Sequence, residues 1–200
     1  MDVSSGDDGA TPLDEDERQA LIPPHISTRA ELNQWEAVNI QQAQPWALGA
    51  RKSDVLSITW LKELHERMFG DTWSWAGDFR RSDKNISPHA WYEVPRLMQD
   101  LVDDTRHQVE RASSGSAEDL DDLAVRFHHR LVRIHPWPNG NGRHARMATD
   151  ALLRQLGRPP FTWGSSPDLV SEGDARNRYI TALRAADQGD LTQLRSFVRS

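Results

Sequence analysis

Residues 135–146 read HPWPNGNGRHAR, and this stretch decides how the rest of the chain folds around it. The run before it, DDLAVRFHHRLVRI (121–134), and the run that overlaps and follows it, RHARMATDALLRQL (143–156), both carry apolar residues at helical spacing. The motif is therefore a loop that enters a helix, with Gly140, Asn141 and Gly142 at the helix start. Unpaired backbone N–H groups at that point, together with the positive end of the helix dipole, make a seat for phosphate. Arg143 and Arg146 lie one turn apart and can reach the same anion. His135 is the group in the loop that can accept a proton near neutral pH. A base beside a polyphosphate cradle points to transfer of a phosphate-containing group to a hydroxyl.

Working outward, the chain divides into helices. ELNQWEAVNIQQA (31–43) follows Pro23-Pro24 and a Ser27 or Thr28 cap, with Leu32, Trp35, Glu36, Val38 and Asn39 expected on one side. Ser57 opens a second helix with Ile58, Leu61, Leu64, His65 and Met68 on one face, ended at Gly70-Asp71. Further helices are expected over 95–112, 118–134, 143–156, 171–186 and 191–198. Between the second and third, TWSWAGDFRRSDKNISPHAWYEVP (72–95) alternates around a Ser-Asp-Lys-Asn turn cluster and predicts a short hairpin. The expected fold is an all-α bundle with one small β-hairpin. Residues 1–20, acidic and without periodicity, read as a disordered tail, and residues 21–200 as one domain.

Composition narrows the function. The net charge of −6 gives no basic field for nucleic acid. No apolar run approaches the length of a membrane span, and the N-terminus lacks the pattern of a signal peptide. The absence of cysteine excludes disulfides and thiol catalysis. A cytoplasmic protein is the simplest expectation. The eight tryptophans read as mostly core, with Trp73 and Trp75 packed under the hairpin.

The motif resembles the signature of the Fic (filamentation induced by cAMP) family, His-Pro-Phe-x-Asp/Glu-Gly-Asn-Gly-Arg-x-x-Arg. Two positions depart from it: Trp137 stands for the usual Phe, and Asn139 for the acidic residue that binds Mg²⁺ in the family. A neutral amide is a weaker ligand for a hard cation than a carboxylate. The resemblance extends over roughly residues 28–198. It includes FGDTWSWAGDFRRSDKNI (69–86), which is similar to the segment leading into the family's flap, and it is nearest to the bacterial subgroup called mobile mystery protein B, with its ELNxWExxNI and HPFPNGNGRHAR-type segments.

That resemblance implies a protein adenylyltransferase. It would transfer AMP from ATP, with Mg²⁺, to a Ser, Thr or Tyr hydroxyl of a target protein, with His135 as general base. Gly140, Asn141, Gly142, Arg143, Arg146 and Lys84 would bind nucleotide, Asn139 would face the metal, and Asn85 and Ile86 would form the target-binding flap. Many family members carry an inhibitory helix, Ser/Thr-x-x-x-Glu-Gly/Asn, whose glutamate pairs with the second motif arginine. Glu31 fits the Ser27 spacing and Glu36 is the second choice. A regulatory or antitoxin-like partner is conceivable; nucleic acid and membrane are not expected partners. His128 and His129 lack a zinc-site spacing and read as helix residues, while His144, between the arginines, could touch nucleotide. The alternatives are transfer of UMP, phosphocholine or phosphate, and a catalytically weak nucleotide-binding module.

Overall fold

The computed structural model describes residues 14–49, 54–112, 117–165, 169 and 173–200. Its helices are α1 (Glu15–Gln19), α2 (Arg29–Gly49), α3 (Ile58–Phe69), α4 (Val94–Ala112), α5 (Ala117–Ile134), α6 (Asn141–Gln155), α7 (Asp174–Asp187) and α8 (Thr192–Val198). Short 3-10 turns cover Trp91–Glu93 and Trp163–Ser165. Among the described residues there is no β-strand, only an isolated antiparallel bridge between Leu21 and Trp73. The all-α reading holds, and the expected hairpin does not form.

The two helices flanking the motif sit at the centre because each is apolar on two sides. On α5, Leu123, Phe127, Leu131 and Ile134 recur at helical spacing and bury into the main core with α2, α3 and α4. Ala124 and Val125 face a second core built on Tyr179, Ala182, Leu194 and Phe197 of α7 and α8. On α6, Ala145, Ala148 and Leu152 join the first core and Leu153 the second. Small alanines on α6 let neighbouring backbones approach closely, which fixes the position of its N-terminus.

Helix α2 runs beyond its expected end and through Pro45. Tertiary contact carries it past the proline: Trp46 stacks on Trp60 with ring centres 5.3 Å apart, and Arg67 lies over Trp46. Its buried stripe is Leu32, Glu36, Asn39, Ala43 and Ala47. Trp35 and Val38, expected inside, are 37% and 48% exposed. The inward face is thus polar in its middle, and Asn39 Nδ2 donates to Thr72 Oγ1 at 2.9 Å.

The N-terminal segment is also ordered further than expected. Residues 14–20, assigned to the tail, form α1 with a capping box between Asp14 and Glu17; residues 1–13 lie outside the described residues. The strap continues over the 72–75 segment, where Ile22 N–H donates to the Thr72 carbonyl and Ser74 N–H to the Ala20 carbonyl. Glu17 accepts from Lys84 Nζ and, at 3.1 Å, from Ser82 Oγ, and its carbonyl accepts from Trp75 Nε1. Both partners of the Glu17–Lys84 pair are mostly buried. Removing one partner of such a pair leaves the other charge desolvated, so Glu17→Ala should cost about 3 kcal/mol. Urea denaturation checks this, and a loss below about 1 kcal/mol would show that the strap contributes little to the fold.

Candidate functional site

The loop between α5 and α6 is closed by its own side chains. Asn141 Oδ1 accepts from the Trp137 N–H at 2.9 Å, and Asn141 Nδ2 donates to the Trp137 carbonyl at 2.8 Å. Trp137 is fully buried, stacked on His65 at 4.4 Å. His65 Nδ1 accepts from Gly77 N–H, so its Nε2 carries the hydrogen and donates to the Asn139 carbonyl at 3.1 Å. His144 Nδ1 accepts from Trp137 Nε1, and its Nε2 donates to the Leu61 carbonyl. Two neutral histidines therefore clamp the loop from behind. Gly140 has φ of 78°, and a Cβ there would lie 2.5 Å from the Phe69 ring, so both conformation and packing require glycine.

The front of the loop lines a cavity of about 610 Å³ together with Asn85, Ile86, Tyr179 and Asp187. The first-turn N–H groups of α6 open here, since the ladder begins with His144 N–H on the Gly140 carbonyl. Arg143 and Arg146 line the same cavity, as do Asn139 and His135.

His135 is buried and sits at φ 55°, a left-handed conformation that costs a non-glycine residue about 1 kcal/mol. Arg80 offsets that cost. It is 1% exposed, and its Nε donates to the His135 carbonyl at 2.8 Å. Its other nitrogens donate to the Ser82 and His89 carbonyls at 2.8 and 2.7 Å and to Ser87 Oγ at 3.3 Å. Segment 80–90 is thus a loop wrapped around one guanidinium rather than a hairpin, and Asn85 and Ile86 reach the cavity from it. The His135 ring bonds the Val132 carbonyl, which leaves its second nitrogen as an acceptor. Burial, with Arg80 and Lys84 nearby, pushes its pKa down to about 3, so it is neutral at physiological pH.

Several expected site residues lie elsewhere. Lys84 is buried against Glu17 rather than lining the cavity, so its charge is neutralised before any phosphate arrives. Glu31 is exposed and caps α2: it accepts from Ser27 N–H at 2.8 Å and Thr28 N–H at 2.9 Å, and these bonds hold its carboxyl down at about 2. Thr28 and Glu31 form a capping box, in which Glu31 N–H donates to Thr28 Oγ1 at 3.2 Å, and Ser27 adds a second donor to the same carboxylate. Glu36 is 1% exposed and reaches the site instead. Its two oxygens accept from Trp73 Nε1 at 2.8 Å and from Arg143 Nη1 at 2.7 Å. The partner is the first motif arginine, not the second. Asn141 serves loop closure with its side chain, and His144 packs behind the loop. Arg80 and His65 were missed, because nothing local marks one arginine of an Arg-Arg pair, or one histidine of a helix face, as a clamp.

The donor set does not build a protein-held Mg²⁺ site. Asn139 Oδ1 accepts from Gly140 N–H at 2.7 Å. No group of three or more His, Asp or Glu among the described residues could hold a metal.

Residues 55–153 match the family model described as Fic/DOC family. The chain carries a Fic/DOC domain. The protein adenylyltransferase Fic of Aedes aegypti is 30% identical over 151 residues, covering 74% of this chain and 27% of the relative. That of Nematostella vectensis is 30% identical over 152 residues, covering 74% and 32%. The chain thus spans only about a third, or less, of these curated relatives. They are animal proteins, and the narrower bacterial subgroup finds no support among them. The fold is similar to that of BepC from Bartonella tribocorum, solved with bound AMPPNP (TM-score 0.67, 16% identity, 93% of this chain and 97% of that one). It is also similar to Fic-1 from C. elegans (TM-score 0.65, 24% identity, 90% and 51%).

The buried histidines of this Fic/DOC domain give it a pH signature. Burial holds His65 well below 6.5, His144 at about 4, and His128 and His135 at about 3. Unfolding returns each to its ordinary value near 6.5, so between about pH 6.5 and 4 the unfolded chain binds more protons. Stability is then fully present above that window and is lost as the pH falls through it. Asp150, raised by burial to about 6, runs the opposite way but is one group against four. The urea midpoint should be flat above about pH 7 and drop steeply below about 6; an unchanged midpoint at pH 5 would mean that these rings are solvated.

Proposed function

We propose that the chain is a protein adenylyltransferase that transfers AMP from ATP to a Ser, Thr or Tyr hydroxyl of a target protein. One observation carries the reading: a neutral, acceptor-bearing His135 opens onto the same cavity as the N-terminus of α6 and its two arginines. The names of the relatives, protein adenylyltransferase Fic, support it.

In this reading the α6 N–H groups and Arg143 hold the inner phosphates and Arg146 the terminal ones. The target segment lies along Asn85 and Ile86, with its hydroxyl directed at the His135 imidazole. The hydroxyl oxygen attacks the α-phosphorus as the imidazole takes its proton. The bond to the β-phosphate oxygen breaks, and pyrophosphate leaves with its electron pair. Positioning and charge neutralisation supply most of the rate in such transfers, and the base about 10²–10⁴-fold. The low basicity of His135 suits proton acceptance only inside the transition state, where the developing phosphate charge offsets burial. No step is routed through Mg²⁺, because residue 139, the metal position of the motif, carries a neutral amide whose Oδ1 accepts from Gly140 N–H.

His135→Ala should abolish labelling of target protein by labelled ATP while ATP affinity stays within about threefold, because the imidazole acts on the hydroxyl and not on the phosphates. Labelling at the wild-type rate in that variant would refute the base assignment; binding of ATP without labelling by the wild-type chain against a cell lysate would favour the nucleotide-binding module.

Inhibition, in the same reading, belongs to Glu36 rather than Glu31. Glu36 holds Arg143 through a charge-assisted bond and so competes with phosphate for it. Glu36→Gln keeps an acceptor for Trp73 but removes the charge, and should raise ATP affinity and self-labelling roughly tenfold. Glu31→Gln should leave both unchanged. Equal labelling by the wild type and the Glu36 variant would make the Glu36–Arg143 pair purely structural.

A further inference from the structure

Arg146 is held from behind. Its guanidinium carbon lies 5.6 Å from the centre of the Tyr179 ring, and it hydrogen-bonds the Tyr179 hydroxyl. Tyr179, on α7, is buried at the cavity wall. The same hydroxyl lies 2.9 Å from Nε2 of His128 on α5, which is fully buried.

The direction of these bonds follows from the far side of the histidine. His128 Nδ1 faces the Ala145 carbonyl and lies 3.4 Å from Thr149 Oγ1. Thr149 Oγ1 commits its one hydrogen to that carbonyl, at 2.7 Å. Both neighbours of Nδ1 are therefore acceptors, and Nδ1 must carry the ring hydrogen. Nε2 is then an acceptor, and the Tyr179 hydroxyl donates to it. With its hydrogen committed, the Tyr179 oxygen presents only lone pairs toward Arg146, which is donor-only. The opposite tautomer would aim the hydroxyl hydrogen at a cation. Asp150 does not substitute as a holder, because its oxygens accept from Trp163 Nε1 and Phe161 N–H.

We propose that Tyr179, oriented by His128, is a positioning residue that sets Arg146 for the terminal phosphates of the bound nucleotide. The inference rests on the nucleotide reading above. It adds a relay across three helices, from α5 through α7 to α6, that the motif does not contain.

The test compares ATP with AMP, which lacks the terminal phosphates, by calorimetric titration of the wild type, Tyr179→Phe, Arg146→Ala and the double variant. Tyr179→Phe should weaken ATP about tenfold, the loss of one hydrogen bond to a charged group, and leave AMP within about twofold. In the Arg146→Ala background the same change should alter ATP affinity less than about twofold. Equal losses in both backgrounds, or parallel losses of ATP and AMP, would overturn the proposal. So would an Arg146→Ala variant that binds ATP as the wild type does, with the nucleotide reading left intact. A wild-type chain that binds neither nucleotide would sink that reading and this inference with it. Nitrogen NMR of the unaltered chain guards against a variant that does not fold: His128 must show the Nδ1–H tautomer, and an Nε2–H tautomer overturns the relay.

Discussion

The structure depends on one closure: the amide of Asn141 takes both backbone groups of Trp137. A loop buried between two helices has peptide groups that water cannot reach, and each must find a partner inside. One side chain satisfies two of them and fixes the turn that starts α6. Everything at the site follows from where that turn places the helix end. The indole of Trp137 anchors the loop to His65, His65 holds the Asn139 carbonyl, and the first-turn amides face the cavity because they have no other direction to face. A helix start closed this way is fixed by its own side chains, so an anion bound there would not incur the ordering cost of a flexible loop.

A second constraint is electrostatic. The cavity wall is cationic, yet α2 inserts Glu36 beside Arg143 from a helix face that also buries Asn39. A carboxylate at that depth is stable only because both oxygens are occupied, one by an indole N–H and one by a guanidinium. The site thus contains its own counter-anion, which keeps two neighbouring arginines tolerable in a buried setting. The phosphate of a ligand would take over that neutralising role.

How much of this was legible from the sequence depends on the range of the interaction. Helices α3 to α6 were readable because their apolar stripes are local and periodic, and the turn that opens α6 because glycine and asparagine spacing is local too. The inward face of α2 was read too wide: Trp35 and Val38 were grouped with Leu32, Glu36 and Asn39, but only the last three are buried, and Glu36 and Asn39 find partners about 35 to 105 residues away. Lys84 was given to phosphate by the family resemblance, and its partner Glu17 lay in a stretch taken for a tail. The hairpin failed for a related reason. Alternation predicts a strand only if a ladder partner exists, and in segment 80–90 the backbone carbonyls are satisfied by Arg80 instead.

Arg80 makes the 80–90 loop and the backbone of His135 one mechanical piece. Its guanidinium grips the His135 carbonyl at one end and the Ser82 and His89 carbonyls at the other, with no strand pairing to absorb strain between them. The loop is therefore not an interchangeable cassette. A graft that brings a new sequence into positions 81–89 keeps the His135 backbone in place only if it rebuilds carbonyls at the same points around the arginine. Variation of this loop is in that sense tethered: side chains at its outer edge can vary freely, whereas the backbone path that carries them cannot.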